Sequence, residues 1–440
     1  MRKKVIILGA AGRDFHNYNV CFRDNSHYNV IAFTAAQIPD IEGRVYPAEL
    51  AGDLYPDGIP IHAEEELETI IREHEIDIVY LSYSDISHND VMHLASRVLA
   101  TGAEFSFLSP YKTMLESSKP MISVCAVRTG CGKSPLTRYV GGCLREAGLS
   151  VAVVRHPMPY GDLSRQAVQR FKSYSDLDKH KCTIEEREEY EPLIDGGFSV
   201  YAGVDYVRIL ARVESEADVI IWDGGNNDTP FFKPDLSLVV FDPLRAGHEM
   251  LFHPGEVNAR MADVAIIGKT DTADPQEIQK VCANISAMNP DAKILLGRNP
   301  VTIQSDEFIA GKKVLAVEDG PTITHGGMAY GAAAVAAQQA GAHLVDPKPF
   351  LNDGYTKLLE QYPHIGPVLP AMGYSKDQVE WLKKAVHAVE CDLVLFGTPI
   401  NPDRLFNVEK PYLRVKYEYE DVSSPTLRSL LADWVTRLDV

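Results

Sequence analysis

A lysine and a serine follow two closely spaced glycines at the end of an apolar run, and this combination can bind phosphate. The segment reads ISVCAVRTGCGKSPLTRYV from residue 122 onward. In such a strand–loop–helix unit, backbone N–H groups point at phosphate oxygens, and the helix N-terminus adds a positive dipole end. The lysine would contact the β- and γ-phosphates, and the serine hydroxyl would bind Mg²⁺. We therefore predict a nucleotide site formed by Thr129, Gly130, Cys131, Gly132, Lys133 and Ser134.

The loop departs from the common pattern at one position. The pattern G-x-x-x-x-G-K-[ST] has glycine where this chain has Val127. The sequence RTGCGKS nevertheless resembles the variant loop of the P-loop branch that includes dethiobiotin synthetase and nitrogenase iron protein, in which a lysine often precedes G-x-x-G-K. This resemblance implies a phosphate-facing, catalytic role for Arg128.

An acidic residue at the end of a second apolar run is the next requirement of a nucleotide site. The segment ADVIIWDGGNND places Asp223 directly after the apolar run, and we expect the loop that follows, with Asn226, Asn227 and Asp228, to lie near the γ-phosphate. A carboxylate at the end of a strand beside the phosphate loop can hold Mg²⁺, directly or through water. We predict that Asp223 and Ser134 bind Mg²⁺ and that Asp223 and Lys133 are catalytic.

A third segment, ADVAIIGKTDTADP, has the position and composition of a base-reading loop. In nucleotide-binding proteins of this class, the tetrad N-K-x-D after a strand contacts the purine. Lys269 would stack along the base, and Asp271 would accept hydrogen bonds from a guanine edge. Gly268 replaces the asparagine, so on this chemistry both ATP and GTP remain open.

Four basic or imidazole side chains follow other apolar runs and are candidates for binding a phosphorylated substrate. Arg155 and His156 follow VAVV, and Arg245 and His248 lie in the segment FDPLRAGHE. Ligand sites of α/β proteins form at the carboxyl ends of strands, and arginine binds phosphate with two parallel hydrogen bonds. We predict that these residues bind substrate and that Arg155 and His156 are also catalytic.

Short apolar runs alternate with amphipathic stretches along the chain, which predicts an α/β fold with mostly parallel strands. We expect an N-terminal Rossmann-like domain over residues 1–119, a P-loop NTPase core over 120–320 and a C-terminal α/β extension of the core over 321–440. The turn GAAGRDFHN lacks a full G-x-G-x-x-G pattern. We therefore expect the first domain to shape the substrate site or form a dimer rather than bind a dinucleotide.

Composition excludes several classes of partner. The formal net charge of −18 disfavours nucleic acid, which requires a basic face. No apolar run reaches the ~18 residues of a membrane span. The seven cysteines are scattered, which suits a reducing cytoplasm. The acidic run EEREEYE at residues 185–191 is typical of a solvated helix face.

Taken together, these motifs resemble the cyclic 2,3-diphosphoglycerate synthetases of methanogenic archaea and their bacterial relatives. The resemblance extends nearly end to end and includes RTGCGKS, RHPMPYGDL, EEREEYEP, VYAGVDY, WDGGNND, DPLRAGHE, HPGE, THGGMAYGA, VLPAMGYS and FGTPINPDRL. It implies an ATP- and Mg²⁺-dependent cytoplasmic ligase that phosphorylates 2,3-diphosphoglycerate and closes it to a cyclic pyrophosphate, releasing ADP and phosphate. The P-loop branch also implies a homodimer.

Other functions remain compatible with the sequence. The tetrad GKTD is also expected of a regulatory or metal-delivering GTPase, although the chain has no C-x-C-C motif and its 14 histidines are dispersed. A ligase for another phosphorylated acid fits the same residues, and so does an ATP-gated binding protein without chemistry.

Overall fold

The computed structural model describes most of the chain. The described residues are 2–10, 12–36, 43–156, 158, 161–225, 228–305, 307–324, 326–371, 376–399, 401–404 and 406–438.

The N-terminal part is built on a six-stranded sheet in the order β3-β4-β2-β1-β5-β7, parallel except for β3. A short strand, β6, lies outside this sheet. The strands are β1 Lys3–Leu8, β2 Tyr28–Ala35, β3 Val45–Tyr46, β4 Ile59–Ala63, β5 Ile78–Leu81, β6 Ile86–Ser87 and β7 Glu104–Phe107. The helices are α1 Arg13–Cys21, α2 Ala48–Ala51, α3 Leu67–His74, α4 His88–Leu99 and α5 Pro110–Thr113. This is the Rossmann-like α/β arrangement that the sequence predicts.

The central part contains a nine-stranded sheet in the order β10-β11-β9-β12-β8-β13-β15-β16-β23. Its seven inner strands are parallel, and the two edge strands are antiparallel. Except for β14, the strands of the central part all belong to this sheet. They are β8 Met121–Ala126, β9 Val151–Arg155, β10 Gln169–Phe171, β11 Ser199–Ala202, β12 Val219–Asp223, β13 Leu236–Phe241, β14 Phe252–His253, β15 Val264–Ile267 and β16 Lys293–Arg298. The helices are α6 Lys133–Glu146, α7 Tyr174–His180, α8 Ile184–Asp195, α9 Tyr206–Val213, α10 Gly255–Met261 and α11 Pro275–Met288.

Every residue of β8, β12 and β13 is buried, which is the pattern of strands covered on both faces by helices. Strand β14 pairs with β6 of the N-terminal part, so the two parts share a short antiparallel ribbon. The prediction of a mostly parallel α/β core is confirmed.

The C-terminal part carries a third sheet in the order β17-β22-β21-β18-β19, with β20 beside β18. Its strands and the last strand of the central sheet are β17 Val301–Ile303, β18 Lys313–Asp319, β19 His343–Leu344, β20 Leu369–Ala371, β21 Leu393–Phe396, β22 Tyr412–Tyr417 and β23 Glu420–Asp421. The helices are α12 Gly320–Ile323, α13 Ala332–Gln339, α14 Asp353–Gln361, α15 Lys376–Ala388 and α16 Leu427–Val435. Because β18 pairs only within this sheet, we propose that the C-terminal unit begins near β17 rather than at residue 321.

Helix α8 corrects one expectation. The acidic run lies on this helix, but Glu186, Glu188 and Glu191 are buried rather than solvated. Glu188 accepts a hydrogen bond of 2.6 Å from the Thr398 hydroxyl of the C-terminal part. The prediction of a solvated face was wrong because Tyr190 and Leu193 of the helix pack into the core of the central sheet and Glu188 contacts the C-terminal part, which no local pattern reveals.

Candidate functional site

The phosphate loop joins β8 to α6 as the sequence predicts. Gly130 and Gly132 have φ angles of 78° and 105°, in the left-handed region that favours glycine. Val127 continues the strand, because its N–H donates to the Val240 carbonyl at 3.1 Å. The loop therefore turns after Val127, and a glycine is not needed there.

The carboxylate of Asp223 lies at the same edge of the sheet as the loop. Strands β12 and β8 are adjacent and parallel, so both end at this edge. Asp223 is completely buried, and its carboxylate faces the guanidinium of Arg155, whose Nη1 lies 2.5 Å from Oδ2. A buried carboxylate beside the loop fits a cation, and Ser134 lies in the first turn of α6, so both residues fit the predicted Mg²⁺ site.

Lys133 begins helix α6, and its charge is coupled to that of Asp223. Burial lowers the pKa of the lysine, and the Asp223 carboxylate opposes this shift. The lysine therefore lies within electrostatic reach of the Asp223 carboxylate at the start of the helix.

Arg155 is engaged by two carboxylates. Its Nη1 lies 2.5 Å from Oδ2 of Asp223, and its Nη2 contacts the Glu189 carboxylate. The Tyr206 hydroxyl donates to the Arg155 carbonyl at 2.7 Å, which fixes the end of β9. The predicted substrate role of Arg155 thus requires an exchange of partners.

Arg245 and Lys269 share the carboxylate of Asp242. The distances to Oδ2 are 2.7 Å from Arg245 Nη2 and 2.9 Å from Lys269 Nζ. Burial alone would raise the pKa of Asp242, but these two cations lower it overall. Arg245 also donates to the Gly326 carbonyl, and Lys269 Nζ donates to the Gly130 carbonyl at 2.6 Å. Both side chains therefore brace the phosphate loop and the C-terminal part.

Arg128 is held by three neighbours. Its Nε donates to Asp85 Oδ1 at 2.7 Å, its Nη1 lies 2.7 Å from His248 Nδ1, and its guanidinium carbon lies 3.5 Å from the centre of the Phe252 ring. Burial and the adjacent Arg128 charge lower the pKa of His248 to about 4. His248 is therefore neutral at neutral pH and accepts through Nδ1. Its predicted contact with a substrate phosphate would use Nε2–H without a charge.

His156 is paired with the carboxylate of Asp228, a residue of the loop that the sequence analysis expects near the γ-phosphate. Its Nδ1 lies 2.6 Å from Oδ2 of Asp228, which is completely buried. The other carboxylate oxygen of Asp228 accepts from the Ser84 hydroxyl, and Arg13 Nε lies 3.9 Å from it. Asn226 and Asn227, also expected near the γ-phosphate, lie outside the described residues.

Near the segment predicted to contact the nucleotide base, an asparagine that follows a neighbouring strand contacts Lys269. Asn299 follows β16, and its side-chain oxygen accepts from the Lys269 N–H at 3.0 Å. The Asn299 N–H donates to Asp271 Oδ1 at 3.2 Å. A Cβ on Gly268 would lie 3.0 Å from the Asn299 oxygen, so this amide lies beside the position where the N-K-x-D pattern has its asparagine. The roles of Lys269 and Asp271 stay predictions.

Sequence reasoning missed Ser84, Asp85 and Asn299, which also contribute to the site. Ser84 and Asp85 follow β5 of the N-terminal part, and Asp85 accepts from the Thr129 N–H at 3.3 Å. Asp85 has a φ of 56°, which is uncommon outside glycine. Polar residues after a predicted strand were the available signal for Ser84 and Asp85, but their contact with the loop depends on domain packing.

Two general properties bear on this site. Within the described ranges, no group of three or more His, Cys, Asp or Glu side chains is placed to hold a metal ion by itself. In the same part of the chain, no helix combines the length and apolar character needed to cross a membrane.

The chain is similar to two proteins of known name. Arginine synthetase ArcE of Thermococcus kodakarensis is 56% identical over 434 residues, covering 98% of this chain and 97% of that protein. Cyclic 2,3-diphosphoglycerate synthetase of Thermococcus sibiricus is 22% identical over 333 residues, covering 68% of this chain and 76% of that protein. The resemblance to the second family is thus confirmed as a relationship, while the higher identity is to the arginine synthetase. No family model matches the chain.

Structural similarities are weaker. A crystal structure of LpxK from Aquifex aeolicus in complex with ATP shares 13% identity, covers 78% of this chain and 95% of that chain, and has a TM-score of 0.41. Hydrogenase maturation factor HypB from Archaeoglobus fulgidus shares 18% identity, covers 41% of this chain and 81% of that chain, and has a TM-score of 0.28. Neither similarity supports a conclusion about function. The identity over nearly the full length is decisive for the family, and the chain belongs to the family of arginine synthetase ArcE.

Proposed function

We propose that this protein is an ATP- and Mg²⁺-dependent synthetase that forms arginine. The observation that carries the proposal is the 56% identity to arginine synthetase ArcE over 98% of this chain. The phosphate loop, with Lys133 at the start of its helix, supports the use of a nucleoside triphosphate. A small-molecule ligase of this kind also agrees with the predicted cytoplasmic location; the predicted homodimer stays a prediction.

The chemistry of such a reaction follows from the product. A guanidinium group differs from a ureido group by one nitrogen in place of the oxygen, and a ureido oxygen is a poor leaving group. Transfer of the γ-phosphoryl group to that oxygen converts it into phosphate, which leaves readily. Ammonia then attacks the carbon, a C–N bond forms, the C–O bond breaks, and ADP and phosphate are released. Holding both reactants in place makes the second step effectively unimolecular.

The residues of the site have separate tasks in this proposal. Lys133 and the N–H groups around Gly130 and Gly132 would hold the β- and γ-phosphates and neutralise charge that develops during transfer. Ser134 and Asp223 would hold Mg²⁺, which supplies further charge neutralisation when bound. The loop and its partners would thereby align the phosphoryl group without forming a covalent bond to the protein.

The pairing of charges around the loop supports an uncharged ureido group, rather than a polyanion, as the acceptor of the phosphoryl group. The two arginines predicted to bind substrate phosphates are both engaged, Arg155 by Asp223 and Glu189, and Arg245 by Asp242. A substrate with two phosphates and a carboxylate would have to separate these buried pairs before gaining their charge. Separation of a buried ion pair is costly because it leaves an uncompensated charge.

Ring closure of 2,3-diphosphoglycerate is the second candidate function. It rests on the sequence motifs and on the 22% identity to cyclic 2,3-diphosphoglycerate synthetase over 68% of this chain. ATP would activate one phosphate as a mixed anhydride, and the other phosphate would attack it. Arg155, His156, Arg245 and His248 would then bind the substrate phosphates.

One experiment compares the candidates. The purified protein is incubated with MgATP or MgGTP, ammonium and the ureido analogue of arginine, and separately with 2,3-diphosphoglycerate. Arginine is measured by chromatography, and phosphorus species by NMR. Arginine formed in proportion to ADP supports the proposal. A new cyclic anhydride signal with no arginine would favour the second candidate. Nucleotide hydrolysis that neither acceptor changes would favour a GTPase or a ligase for another acid.

A further inference from the structure

The imidazole of His156 is oriented by a buried carboxylate. Its Nδ1 lies 2.6 Å from Oδ2 of Asp228, so Nδ1 carries the proton that faces this carboxylate. No described residue forms a hydrogen bond with Nε2. The ring therefore presents Nε2 with a lone pair, which is the arrangement of a histidine that accepts protons.

Two glycines fix the position of this ring. A Cβ on Gly12 would lie 2.6 Å from His156 Cε1, and a Cβ on Gly225 would lie 2.9 Å from Cδ2. Any larger residue at either position would collide with the ring. Gly12 belongs to the glycine turn of the N-terminal part, so this turn packs against the imidazole.

Asp228 is held in its ionised form. Burial alone would raise its pKa, but the interactions with His156, Arg13 and the Ser84 hydroxyl lower it overall. Arg13 is fixed in turn, because its Nη1 donates to Thr113 Oγ1 at 3.3 Å and its guanidinium lies over the Phe231 ring at 4.5 Å. Ser84 and Arg13 both belong to the N-terminal part, which therefore supplies two of the groups that contact Asp228.

The His156–Asp228 pair lies next to the residues predicted to bind phosphate and Mg²⁺. His156 directly follows Arg155, whose guanidinium contacts Asp223. Strand β9 runs parallel to β12 with Arg155 opposite Asp223. The imidazole therefore lies at the strand edge where the phosphoryl acceptor has to bind.

From this geometry we propose that His156 is the general base of the synthetic step and that Asp228 is its positioning residue. The inference rests on the proposed function. As the nitrogen of ammonia forms its bond to the activated carbon, Nε2 of His156 removes one proton from that nitrogen. The C–O bond breaks, and phosphate leaves with the electron pair. His156 then passes its proton to the released phosphate or to water, which restores the neutral ring.

The test separates the two steps of the reaction. Asp228→Asn and His156→Gln are compared with the parent protein for arginine formation from ammonium, the ureido analogue and MgATP. Activation alone is followed by positional isotope exchange in ATP labelled at the β,γ-bridge. We expect kcat for arginine to decrease roughly 100- to 10,000-fold. The KM for ATP and the isotope exchange should stay within about twofold, because neither residue contacts the nucleotide in this proposal. Hydroxylamine, a stronger nucleophile at neutral pH, should recover part of the lost rate.

Controls keep the outcomes distinct. His62→Gln alters a histidine that pairs with a carboxylate, Glu66, at 3.0 Å on the surface, and it should leave both steps unchanged. Ser84→Ala removes the hydroxyl that donates to Asp228 and should give a smaller loss of the same kind, which covers the case that Asp228→Asn does not fold. Arginine formation at the parent rate in Asp228→Asn and His156→Gln would overturn the assignment. Equal loss of isotope exchange and arginine formation would also overturn it. If the parent protein forms no arginine, the proposed function fails and this assignment fails with it.

Discussion

The guanidinium of Arg155 and the carboxylate of Asp223 face each other at a distance of 2.5 Å across two neighbouring parallel strands, β9 and β12. Both side chains are almost completely buried. A Mg²⁺ ion bound by Asp223 would replace this contact, and Arg155 would then be available to an incoming phosphate. The pair therefore links the carboxylate predicted to bind Mg²⁺ to the residue predicted to contact the transferred group.

Replacement of Asp223 by asparagine should weaken both stability and catalysis. The Arg155 charge would lose one of its two buried partners, and breaking a buried ion pair costs about 3–5 kcal/mol. Because Glu189 remains, we expect a decrease in the free energy of unfolding of about 3 kcal/mol, measured by urea unfolding. ATP turnover should also require more Mg²⁺.

The matched control for Asp223→Asn is a surface ion pair. Glu116 and Lys233 lie 3.2 Å apart with exposed side chains. Glu116→Gln should change the free energy of unfolding by less than about 1 kcal/mol. Equal effects of the two substitutions would contradict a special role for Asp223.

Lys133→Ala should abolish nucleotide turnover and leave the fold intact. Removing one preorganised positive group from a site of developing charge lowers kcat by roughly 100- to 1,000-fold. Turnover is measured as ADP release, and folding by circular dichroism. Lys172→Ala, at an exposed position, serves as the control. Turnover that survives the loss of Lys133 would exclude the phosphate loop from the mechanism.

The contribution of Glu186 to the free energy of unfolding should decrease as the pH rises from about 5 to about 8. Burial raises the pKa of Glu186 from 4.5 to about 7. Between these two values the folded state binds more protons than the unfolded state, so raising the pH favours unfolding. The stability that Glu186 contributes is complete below its unfolded pKa and is lost as the pH rises through about 7.

The substitution Glu186→Gln tests this pH dependence. The glutamine oxygen can still accept the hydrogen bond that Thr183 N–H donates to the Glu186 carboxylate at 2.6 Å. We expect the variant to lose less stability between pH 5 and pH 8 than the parent, by up to about 3 kcal/mol. Urea unfolding at several pH values measures the difference. Glu65→Gln, at an exposed position, should follow the parent curve, and parallel curves for all three proteins would refute the prediction.

Asn299→Ala should raise the KM for nucleotide and leave kcat nearly unchanged. The side-chain oxygen of Asn299 accepts from the Lys269 N–H, so its loss should loosen the predicted base-reading segment, while the backbone N–H of residue 299 can still donate to Asp271. Loss of ground-state binding alone changes KM rather than kcat. Steady-state kinetics with ATP and GTP measure both constants. A decrease in kcat at constant KM would instead place Asn299 close to the transferred phosphoryl group.

The sequence alone determined the local elements of this protein. The apolar runs predicted β8, β12, β13 and β15, because buried parallel strands are apolar along their whole length. The strand–loop–helix order around Lys133 identified the phosphate loop, because its chemistry depends on neighbouring residues in the chain. The same reasoning placed Asp223 beside it.

Only the tertiary structure decided which charges are paired. Asp85 and Ser84 lie some 40 or more positions before their partners, Arg128 and Asp228, and the contacts arise because the N-terminal part packs against the loop. Asn299 occupies the neighbourhood of Gly268 because β15 and β16 are adjacent and parallel. A local pattern carries no information on such distant neighbours, since packing between domains fixes them. For the same reason the sequence showed arginines that were suited to phosphate, and the structure showed that buried carboxylates already engage them.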